Sequence, residues 1–322
     1  MAERSKLIKF EVDKDKLNKE SIKIYKKYKI DMTIKELSEK TIYNYETDLF
    51  AWFSYIYIFQ DNKSILEIDE DDLTEYFYYR KSEGNNSRRI KRIMSSISAM
   101  YLFLRKKKMI KENPMEFIDR PRKDTDVVVQ TFLTQEQIDL MLEELKKLGN
   151  LQIEAYIVTG LSTMARVNAL SNIKWKQIDW DNLTINGVLE KEGYIVDLDI
   201  DEYCKDVLLK LKQEREEKGI DNEYVFISYY KGRYDKVENT TCNDWCKKIG
   251  KIIGVPTLHN HDLRHSSATL MKNNGAKLED ISKILHHTST DVTLKHYIKE
   301  DTSKLKESKA KFGAFRNVNK GH

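Results

Sequence analysis

The sequence predicts a mainly α-helical protein with a small antiparallel β-sheet in its second half. Glycine and proline are scarce, with 12 and 3 copies in 322 residues, and an all-β fold needs many such turn residues. Apolar residues recur every three or four positions along most of the chain, which is the helical period. Between Trp175 and Ile200 the pattern changes to alternation of apolar and polar residues, which is typical of half-buried strands.

Length and composition predict a folded protein of two domains. The 322 residues exceed one typical domain of about 100–200 residues. Because 40% of them are hydrophobic and 34% charged, the chain can fill real cores, which argues against disorder. The expected divisions are an N-terminal extension (1–30), a helical domain (31–120), a linker (121–131), a second domain (132–300) and a C-terminal tail (301–322).

Three features of the sequence favour a cytoplasmic protein without a membrane partner. The longest apolar run, Leu49 to Phe59, has 11 residues, whereas a membrane-spanning helix needs about 20. The N-terminal segment MAERSKLIKF is charged and lacks the apolar stretch of a signal peptide. Three cysteines are too few for a disulfide scaffold.

The first domain is predicted to contain successive amphipathic helices. Ser38 is a candidate N-cap, and the apolar residues after it keep helical spacing through Ile56. The acid-rich segment 68–74 begins the next helix, because the helix dipole favours acids at this end. Ser87 is expected to cap a long helix. Its apolar stripe consists of Ile90, Ile93, Met94, Ile97, Met100, Tyr101 and Leu104.

Charge is segregated along the first domain. Between Arg80 and Lys111 there are 11 basic residues and one acid, whereas residues 61–79 carry seven acids and one lysine. Such segregation indicates a polyanionic partner such as nucleic acid, although a solvated helix face is the alternative. The candidate DNA-binding residues stand at the start of the long helix: Arg88, Arg89, Lys91 and Arg92.

The second domain is predicted to place a small sheet between helices. Thr134 and Gln137 form a capping-box pattern before a helix that ends at Gly149, and residues 151–172 are expected to continue as helix. Three alternating segments, 178–180, 183–187 and 194–198, follow as strands. Asn186-Gly187 and Glu192-Gly193 are predicted turns, and helices are expected to resume near residue 202.

Six of the seven histidines lie between His259 and His296. A zinc site is one interpretation, but no cysteine or acidic third ligand completes a known spacing, so no metal is expected. Phosphoryl transfer without a metal is the other interpretation. His261 and Arg264 stand three positions apart and share one face of a helix, and the planar guanidinium fork matches phosphate oxygens.

These residues also carry a resemblance. The segment HDLRHSSATL from His261, followed by ILHHTSTDVTLKHY ending at Tyr297, resembles the signature of the tyrosine recombinase (phage integrase) family. In that pattern an H-x-L-R-H box precedes a Gly-His pair and a nucleophilic tyrosine, and Tyr297 lies ten residues after His287. Residues 165–175 resemble the first arginine box of the family, and residues 37–121 resemble its helical core-binding domain.

The resemblance implies a two-domain clamp around double-stranded DNA that performs site-specific recombination. Tyr297 would attack a phosphodiester and form a 3′-phosphotyrosine bond, with no cofactor. The other catalytic residues that the resemblance implies are Arg166 and Arg264 as phosphate clamps, Lys191 as proton donor, and His261 and His287 as groups that bind the phosphate or move a proton. The partners implied are specific DNA sites and other copies of the chain in a tetramer, onto which the tail docks.

The sequence departs from the family pattern at three positions. Met164 and His286 stand where glycines are usual, and Ala169 stands where a glutamate often follows the first arginine. Two other functions stay open at this stage. One is relaxase-like or topoisomerase-like nicking by the same tyrosine, and the other is a non-catalytic DNA-binding regulator on the same scaffold.

Overall fold

A computed structural model describes residues 12–122, 132–190, 193–286 and 290 of the chain. The chain divides into two compact units, Met1–Val128 and Val129–His322, each with its own hydrophobic core. Within the described ranges, none of the helices combines the length and apolar character needed to cross a bilayer. The predicted fold class, mainly helical with small antiparallel sheets, is confirmed.

The N-terminal unit is built from helices whose starts are set by short polar side chains. Ser38 accepts a hydrogen bond from the Thr41 amide, and Asp69 forms a capping box with Asp72. The last cap is Asn86 rather than the predicted Ser87, which is the first helical residue. The helices are α1 (Lys19–Ile34), α2 (Glu39–Phe59), α3 (Glu70–Ser82) and α4 (Ser87–Lys106), with 3-10 turns at Lys14–Lys16 and Pro114–Phe117.

Aromatic side chains fill the core between these helices. Trp52, Tyr76 and Tyr101 are fully buried, and the Tyr101 hydroxyl donates a hydrogen bond of 3.1 Å to the Ile65 carbonyl. The Trp52 and Tyr101 ring centroids lie 5.8 Å apart, a spacing at which aromatic pairs attract each other beyond simple burial. Most of the apolar run from Leu49 to Phe59 therefore packs into this core, whereas its last three residues are exposed.

The C-terminal unit surrounds a small sheet with helices. Its helices are α5 (Gln135–Leu148), α6 (Leu151–Thr163), α7 (Val167–Asn172), α8 (Glu202–Glu217), α9 (Asn239–Ile252), α10 (Asn260–Asn273) and α11 (Leu278–Ile284). Its strands are β1 (Ile178–Asp179), β2 (Thr184–Leu189), β3 (Ile195–Asp199), β4 (Ile227–Tyr230) and β5 (Arg233–Lys236), and a 3-10 turn covers Trp175–Gln177.

The predicted helix over 151–172 is interrupted. α6 ends at Thr163, and Met164 adopts the left-handed conformation, with φ 51° and ψ 23°. α7 begins at Val167 with Arg166 as its N-cap residue. The break therefore places Arg166 between two helices instead of inside one.

The three-stranded sheet has the order β1-β2-β3 with antiparallel pairing. The prediction of a turn at Asn186-Gly187 is wrong, because both residues lie within β2. The register shifts between Ile185 and Val188, and Gly187 takes a positive φ of 64° there. Glycine adopts this conformation without steric cost, and such a shift increases local strand twist.

The β4–β5 hairpin is a second, two-stranded sheet that sequence analysis did not predict. Its turn is Lys231-Gly232, with φ 48° and 86°, and two positive φ values are typical of tight hairpin turns. Each strand has only four residues, and most of them are exposed. The short strands therefore lack the apolar alternation on which a prediction could rest.

α6 packs directly against α10, which carries the histidine–arginine motif. The close approach depends on Gly160, where an added Cβ would lie 3.1 Å from Leu263 Cδ1. A Cβ at this position would require the Leu263 side chain to shift by a few tenths of an ångström. The glycine thus allows α6 and α10 to pack closely.

Candidate active site

The motif residues His261 and Arg264 lie in the first turn and a half of α10, as predicted. His259 is the N-cap residue, and its amide donates to Asp262 Oδ2 at 2.9 Å. The His259 Nδ1 atom also lies 2.5 Å from Asp262 Oδ2. This contact raises the pKa of His259 above its usual value, with Asp262 as the main cause.

Buried polar groups fix the start of α10. Asn260 accepts a hydrogen bond from the Tyr156 hydroxyl and donates one of 2.6 Å to Asn243 Oδ1. The Leu133 amide donates to Ser266 Oγ at 2.9 Å, which ties the segment before α5 to the same helix. Because buried polar groups are costly when unpaired, these bonds favour a single position of the helix.

Arg264 is almost fully buried, with 1% of its surface exposed. Its Nη1 donates to the Met164 carbonyl at 2.7 Å, and its Nη2 donates to the Leu285 carbonyl at 2.5 Å. Met164 and Leu285 are the C-cap residues of α6 and α11, and helix C-termini carry partial negative charge and carbonyls without intrahelical partners. One guanidinium thus joins α10 to the ends of two other helices.

Two of the three departures from the family pattern lie beside these carbonyls. Met164 and His286 both have positive φ, 51° and 49°. Residues with a Cβ pay a steric cost in this region, whereas glycine does not. The backbone therefore keeps the left-handed turns at both positions despite the missing glycines.

Arg166 meets a buried carboxylate from the sheet. Its Nη1 lies 2.6 Å from Glu190 Oε2, one residue past the end of β2. The Glu190 side chain is 6% exposed and that of Arg166 is 29% exposed. The third departure, Ala169, is fully buried and contributes no carboxylate. The acid beside Arg166 therefore comes from the sheet instead of from α7.

His261 is an imidazole in positively charged surroundings. Burial is the main cause that lowers the pKa of His261, and the positive charges of Arg264, His259 and Arg166 lower it further. Arg264 also donates to the carbonyl of Met164, two residues before Arg166, so the two arginine motifs meet at this point. The structure brings together Arg166, His261 and Arg264, three of the six catalytic candidates.

Two other histidines of the described residues, His259 and His265, lie near His261. The His261 ring lies 5.8 Å from His265 and 6.5 Å from His259, measured between centroids. Across the residues that the structure describes, no three His, Cys, Asp or Glu side chains are arranged to hold a metal ion. His286 follows α11 and is exposed.

The remaining three catalytic candidates, Lys191, His287 and Tyr297, lie outside the described residues. The proposed trans-docking tail over 301–322 and most of the predicted linker over 121–131 lie outside them as well. Glu190 immediately precedes Lys191 in the sequence, so the described part of the site ends next to the lysine.

The candidate DNA-binding residues stand at the N-terminal end of α4. Arg88 is exposed and Lys91 half-buried. Arg89 Nη2 and Arg92 Nη2 lie 2.8 and 2.9 Å from Asp48 Oδ1, and Asp48 is 1% exposed. The Ser96 hydroxyl donates to the other oxygen of Asp48 at 2.8 Å. Asp48 thus holds two of the four candidates from within the core.

Sequence analysis missed the two carboxylates that hold these arginines. Asp48 had a detectable signal, because it stands on the apolar face of α2 between Tyr45 and Trp52. An acid at such a position must find a buried partner. Glu190 had none, because 24 residues separate it from Arg166.

Family comparison matches both units of the chain. A model described as the phage integrase family matches residues 131–304, more than half of the chain. A second model, described as the phage integrase N-terminal SAM-like domain, matches residues 26–108. The two matches fall on the two structural units in order.

Curated relatives described as tyrosine recombinase XerC match most of the chain. The chain is 28% identical over 314 residues to a tyrosine recombinase XerC of Pediococcus pentosaceus, covering 91% of this chain and 97% of the relative. It is 25% identical over 241 residues to the tyrosine recombinase XerC of Bacillus pumilus, covering 70% and 75%.

Solved structures show the same fold. The XerH site-specific recombinase bound to a palindromic difH substrate gives a TM-score of 0.68 at 19% identity, covering 84% of this chain and 79% of that one. The Tn1549 transposon integrase with transposon right-end DNA gives 0.66 at 18%, covering 91% and 99%. A lambda integrase dimer on a COC′ core site gives 0.65 at 17%, covering 83% and 92%.

Proposed function

The chain belongs to the phage integrase family and is a site-specific tyrosine recombinase, and from this premise we propose how it cleaves and rejoins DNA. The substrate is double-stranded DNA at specific sites, since the solved relatives are bound to transposon right-end DNA, a palindromic difH substrate and a COC′ core site. The observation that carries the proposal is the convergence of Arg166, His261 and Arg264 in one region of the C-terminal unit.

Cleavage begins with the phenolic oxygen of Tyr297. This oxygen attacks the scissile phosphorus, the bond to the 5′ oxygen breaks, and a 3′-phosphotyrosine forms. Lys191 gives a proton to the leaving 5′ oxygen, and His261 or His287 takes the proton of the phenol. The lowered pKa of His261 supports this role, because a neutral imidazole can accept a proton at neutral pH.

Rejoining reverses these steps with a different strand. The 5′ hydroxyl of a partner strand attacks the phosphotyrosine, the bond from phosphorus to the tyrosine oxygen breaks, and the protons return. Because each step exchanges one phosphoester for another, the energy of the bond is retained. The reaction therefore needs neither ATP nor another energy source.

The two arginines neutralise the charge that grows on the non-bridging oxygens of the phosphate. Arg264 donates to two backbone carbonyls, which carry no formal charge. Arg166 stands beside Glu190, and part of its guanidinium still reaches solvent. A tyrosine has a pKa near 10 in water, and the cationic surroundings favour its ionised form.

The N-terminal unit supplies contacts to the duplex. Arg88, Arg89, Lys91 and Arg92 lie at the start of α4, where the helix dipole also favours phosphate. These residues contact the backbone or the major groove. Assembly follows as a tetramer on two sites, with the tail over 301–322 docked on a neighbouring subunit.

Covalent capture tests the proposed nucleophile without knowledge of the target site. The protein is incubated with a pool of random-sequence duplexes. Each duplex has a nick in one strand, so that cleavage near the nick releases a short fragment that carries the 5′ hydroxyl and diffuses away. Adducts that survive denaturation are isolated and sequenced. The wild type is expected to form adducts with a common sequence, and Tyr297→Phe is expected to form none.

Tyr229→Phe is the matched control, because Tyr229 is an exposed tyrosine of the same unit. It should form adducts like the wild type. Adducts that persist in Tyr297→Phe would assign the nucleophile to another residue. Absence of adducts in the wild type would favour the non-catalytic regulator. Once a site is known, exchange of strands between two such sites separates recombination from nicking alone.

The tail proposal has its own test. A chain that ends at residue 302 is expected to bind one DNA site normally and to lose cooperative assembly on two sites. Gel mobility of complexes with one and two sites measures this. Unchanged assembly would refute the docking of the tail.

A further inference from the structure

Glu190 occupies a position that the proposed reaction does not yet explain. Its carboxylate lies in the interior at the end of β2 and makes an ion pair with the one site arginine that is accessible to solvent. Its second oxygen, Oε1, is buried and has no hydrogen-bond partner among the described residues. Burying a carboxylate with one unsatisfied oxygen is costly, so a purely structural role explains it poorly.

The arginine is held at one end only. Arg166 Nη1 contacts Glu190, whereas no hydrogen bond is formed by Nε or Nη2 to any described residue. A guanidinium presents its donors as a planar fork that binds two oxygens of a phosphate at once. The contact to Glu190 therefore leaves the Nε–Nη2 side of the fork for an anion.

The backbone near Glu190 is fixed on both sides. The Glu190 amide donates to the Tyr194 carbonyl at 2.7 Å, which closes the β2–β3 connection. Asn172 Nδ2, at the far end of α7, donates to the Leu189 carbonyl at 3.1 Å. α7 is thus attached to the end of β2 at its beginning through Arg166 and at its end through Asn172.

We propose that Glu190 is a positioning residue that holds the Arg166 guanidinium in the orientation in which its free side binds the scissile phosphate. This proposal rests on the proposed function, because it takes Arg166 to be a phosphate clamp. It also links the clamp to the β2–β3 connection, the segment in which Lys191 follows directly in sequence. Glu190 acts through Arg166 and does not touch the reacting atoms.

The alternative role for a carboxylate beside a phosphate-binding arginine is inhibition. Glu190 could occupy Arg166 until DNA displaces it, and the ion pair would then inhibit the DNA-free enzyme. The two roles predict opposite signs. Removing a positioning residue slows cleavage, whereas removing an inhibitor accelerates cleavage or tightens the binding of DNA.

The experiment measures the rate of covalent adduct formation at saturating DNA and, separately, the Kd for DNA. The probe is the nicked duplex selected from the random pool by the wild type. Glu190→Ala is expected to lower the rate on the order of 10²-fold, the usual effect of a misplaced reacting group. The Kd is expected to change less than about twofold, because many phosphate contacts share the affinity. Glu190→Gln keeps an acceptor oxygen and should recover part of the rate.

A double-mutant cycle identifies the residue through which Glu190 acts. Arg166→Ala and Arg166→Ala/Glu190→Ala are expected to cleave at the same rate, because the second change removes a support for a side chain already absent. Glu223→Gln is the matched control, since it removes an exposed carboxylate that pairs with Lys174 in the same unit. It should leave both the rate and the Kd unchanged.

Three outcomes would overturn the proposal. They are a faster Glu190→Ala enzyme, additive losses in the double mutant, and a loss in Glu223→Gln equal to that in Glu190→Ala. Each of them leaves the adduct of the wild type in place, so the proposed function survives. Failure of the wild type to form an adduct would instead overturn the proposed function and this inference with it.

Discussion

Arg264 in the C-terminal unit and the arginine pair of α4 in the N-terminal unit are held by different acceptors. In the N-terminal unit the carboxylate of Asp48 binds both Arg89 and Arg92. In the C-terminal unit the backbone carbonyls of Met164 and Leu285 bind Arg264. A carboxylate cancels one positive charge of the pair that it holds, whereas backbone carbonyls carry only partial negative charge. The difference agrees with the two proposed roles, contact with the DNA duplex for the α4 arginines and stabilisation of a developing negative charge for Arg264.

The largest expected effect on stability comes from removing Arg264, the arginine that is held by backbone carbonyls. Arg264→Leu is expected to lower the free energy of unfolding by about 3 kcal/mol, because two buried carbonyls lose their donor and each costs about 1–3 kcal/mol. Urea unfolding followed by circular dichroism measures it. Arg264→Lys keeps the charge but has a single nitrogen in place of the two that reach separate carbonyls, so about half of that loss is expected. A leucine variant as stable as the wild type would show that the helix ends do not depend on Arg264.

The carboxylate of the N-terminal unit should matter less for stability. Asp48→Asn is expected to cost about 2 kcal/mol, below the 3–5 kcal/mol of a fully buried pair, because both arginines still reach water. The same unfolding measurement applies. Glu116→Gln removes an exposed partner of Arg105 and is the control, with about 0–1 kcal/mol expected. Equal effects of the two variants would contradict a special role for Asp48.

The backbone turns that present the two carbonyls to Arg264 can be tested by substitution of Met164 and His286, which both have positive φ. His286→Gly is expected to raise the free energy of unfolding by about 0.5–1 kcal/mol, because glycine avoids the steric cost of positive φ. Met164→Gly offers a contrast, since Met164 packs against Ile281 and Leu285 and its loss should destabilise the protein. Thermal unfolding distinguishes the two. Destabilisation by His286→Gly would mean that the imidazole makes a stabilising contact.

The smallest effect concerns the carboxylate of α10, which pairs with His259 rather than with Arg264. Asp262 raises the pKa of His259, so this pair adds stability below the unfolded-state pKa of about 6.5 and loses it as pH rises through the folded-state pKa. His259→Gln should therefore cost a few tenths of a kcal/mol near pH 5 and almost nothing near pH 8, since the imidazole is half exposed.

The same measurement on His261 should show the opposite dependence. Its pKa is lowered, so the folded state favours the neutral ring, and stability is lost as pH falls through about 6.5 towards the folded-state pKa. His261→Gln should remove that loss at low pH. Parallel curves for the two variants would contradict the assigned directions.

Local patterns in the sequence predicted much of the fold. The periodic stripe of α4, the capping box of α5 and the shared face of His261 and Arg264 all follow from spacing within one element. The break between α6 and α7 was missed, because Met164 carries none of the usual signals of a helix end. The β4–β5 hairpin was missed because its strands are short and exposed.

The sequence predicted which residues form the candidate site, but it did not predict their hydrogen-bond and ion-pair partners. Arg166, His261 and Arg264 stand in motifs that the chain displays. The partners of Arg264 are backbone carbonyls, which no pattern of side chains encodes. Glu190 is joined to Arg166 only after α7 and the sheet have folded against each other.

The two hydrogen bonds from Arg264 to helix ends also affect how such a chain can change over evolutionary time. A descendant that abandons DNA cleavage still needs a donor between the ends of α6 and α11, so selection for folding alone preserves this arginine. Loss of Arg166 leaves the buried carboxylate of Glu190 without its ion-pair partner, and a change at position 190 can relieve this cost. Among natural variants, substitution at position 166 should therefore accompany substitution at position 190, and an intact position 264 should persist long after activity has gone.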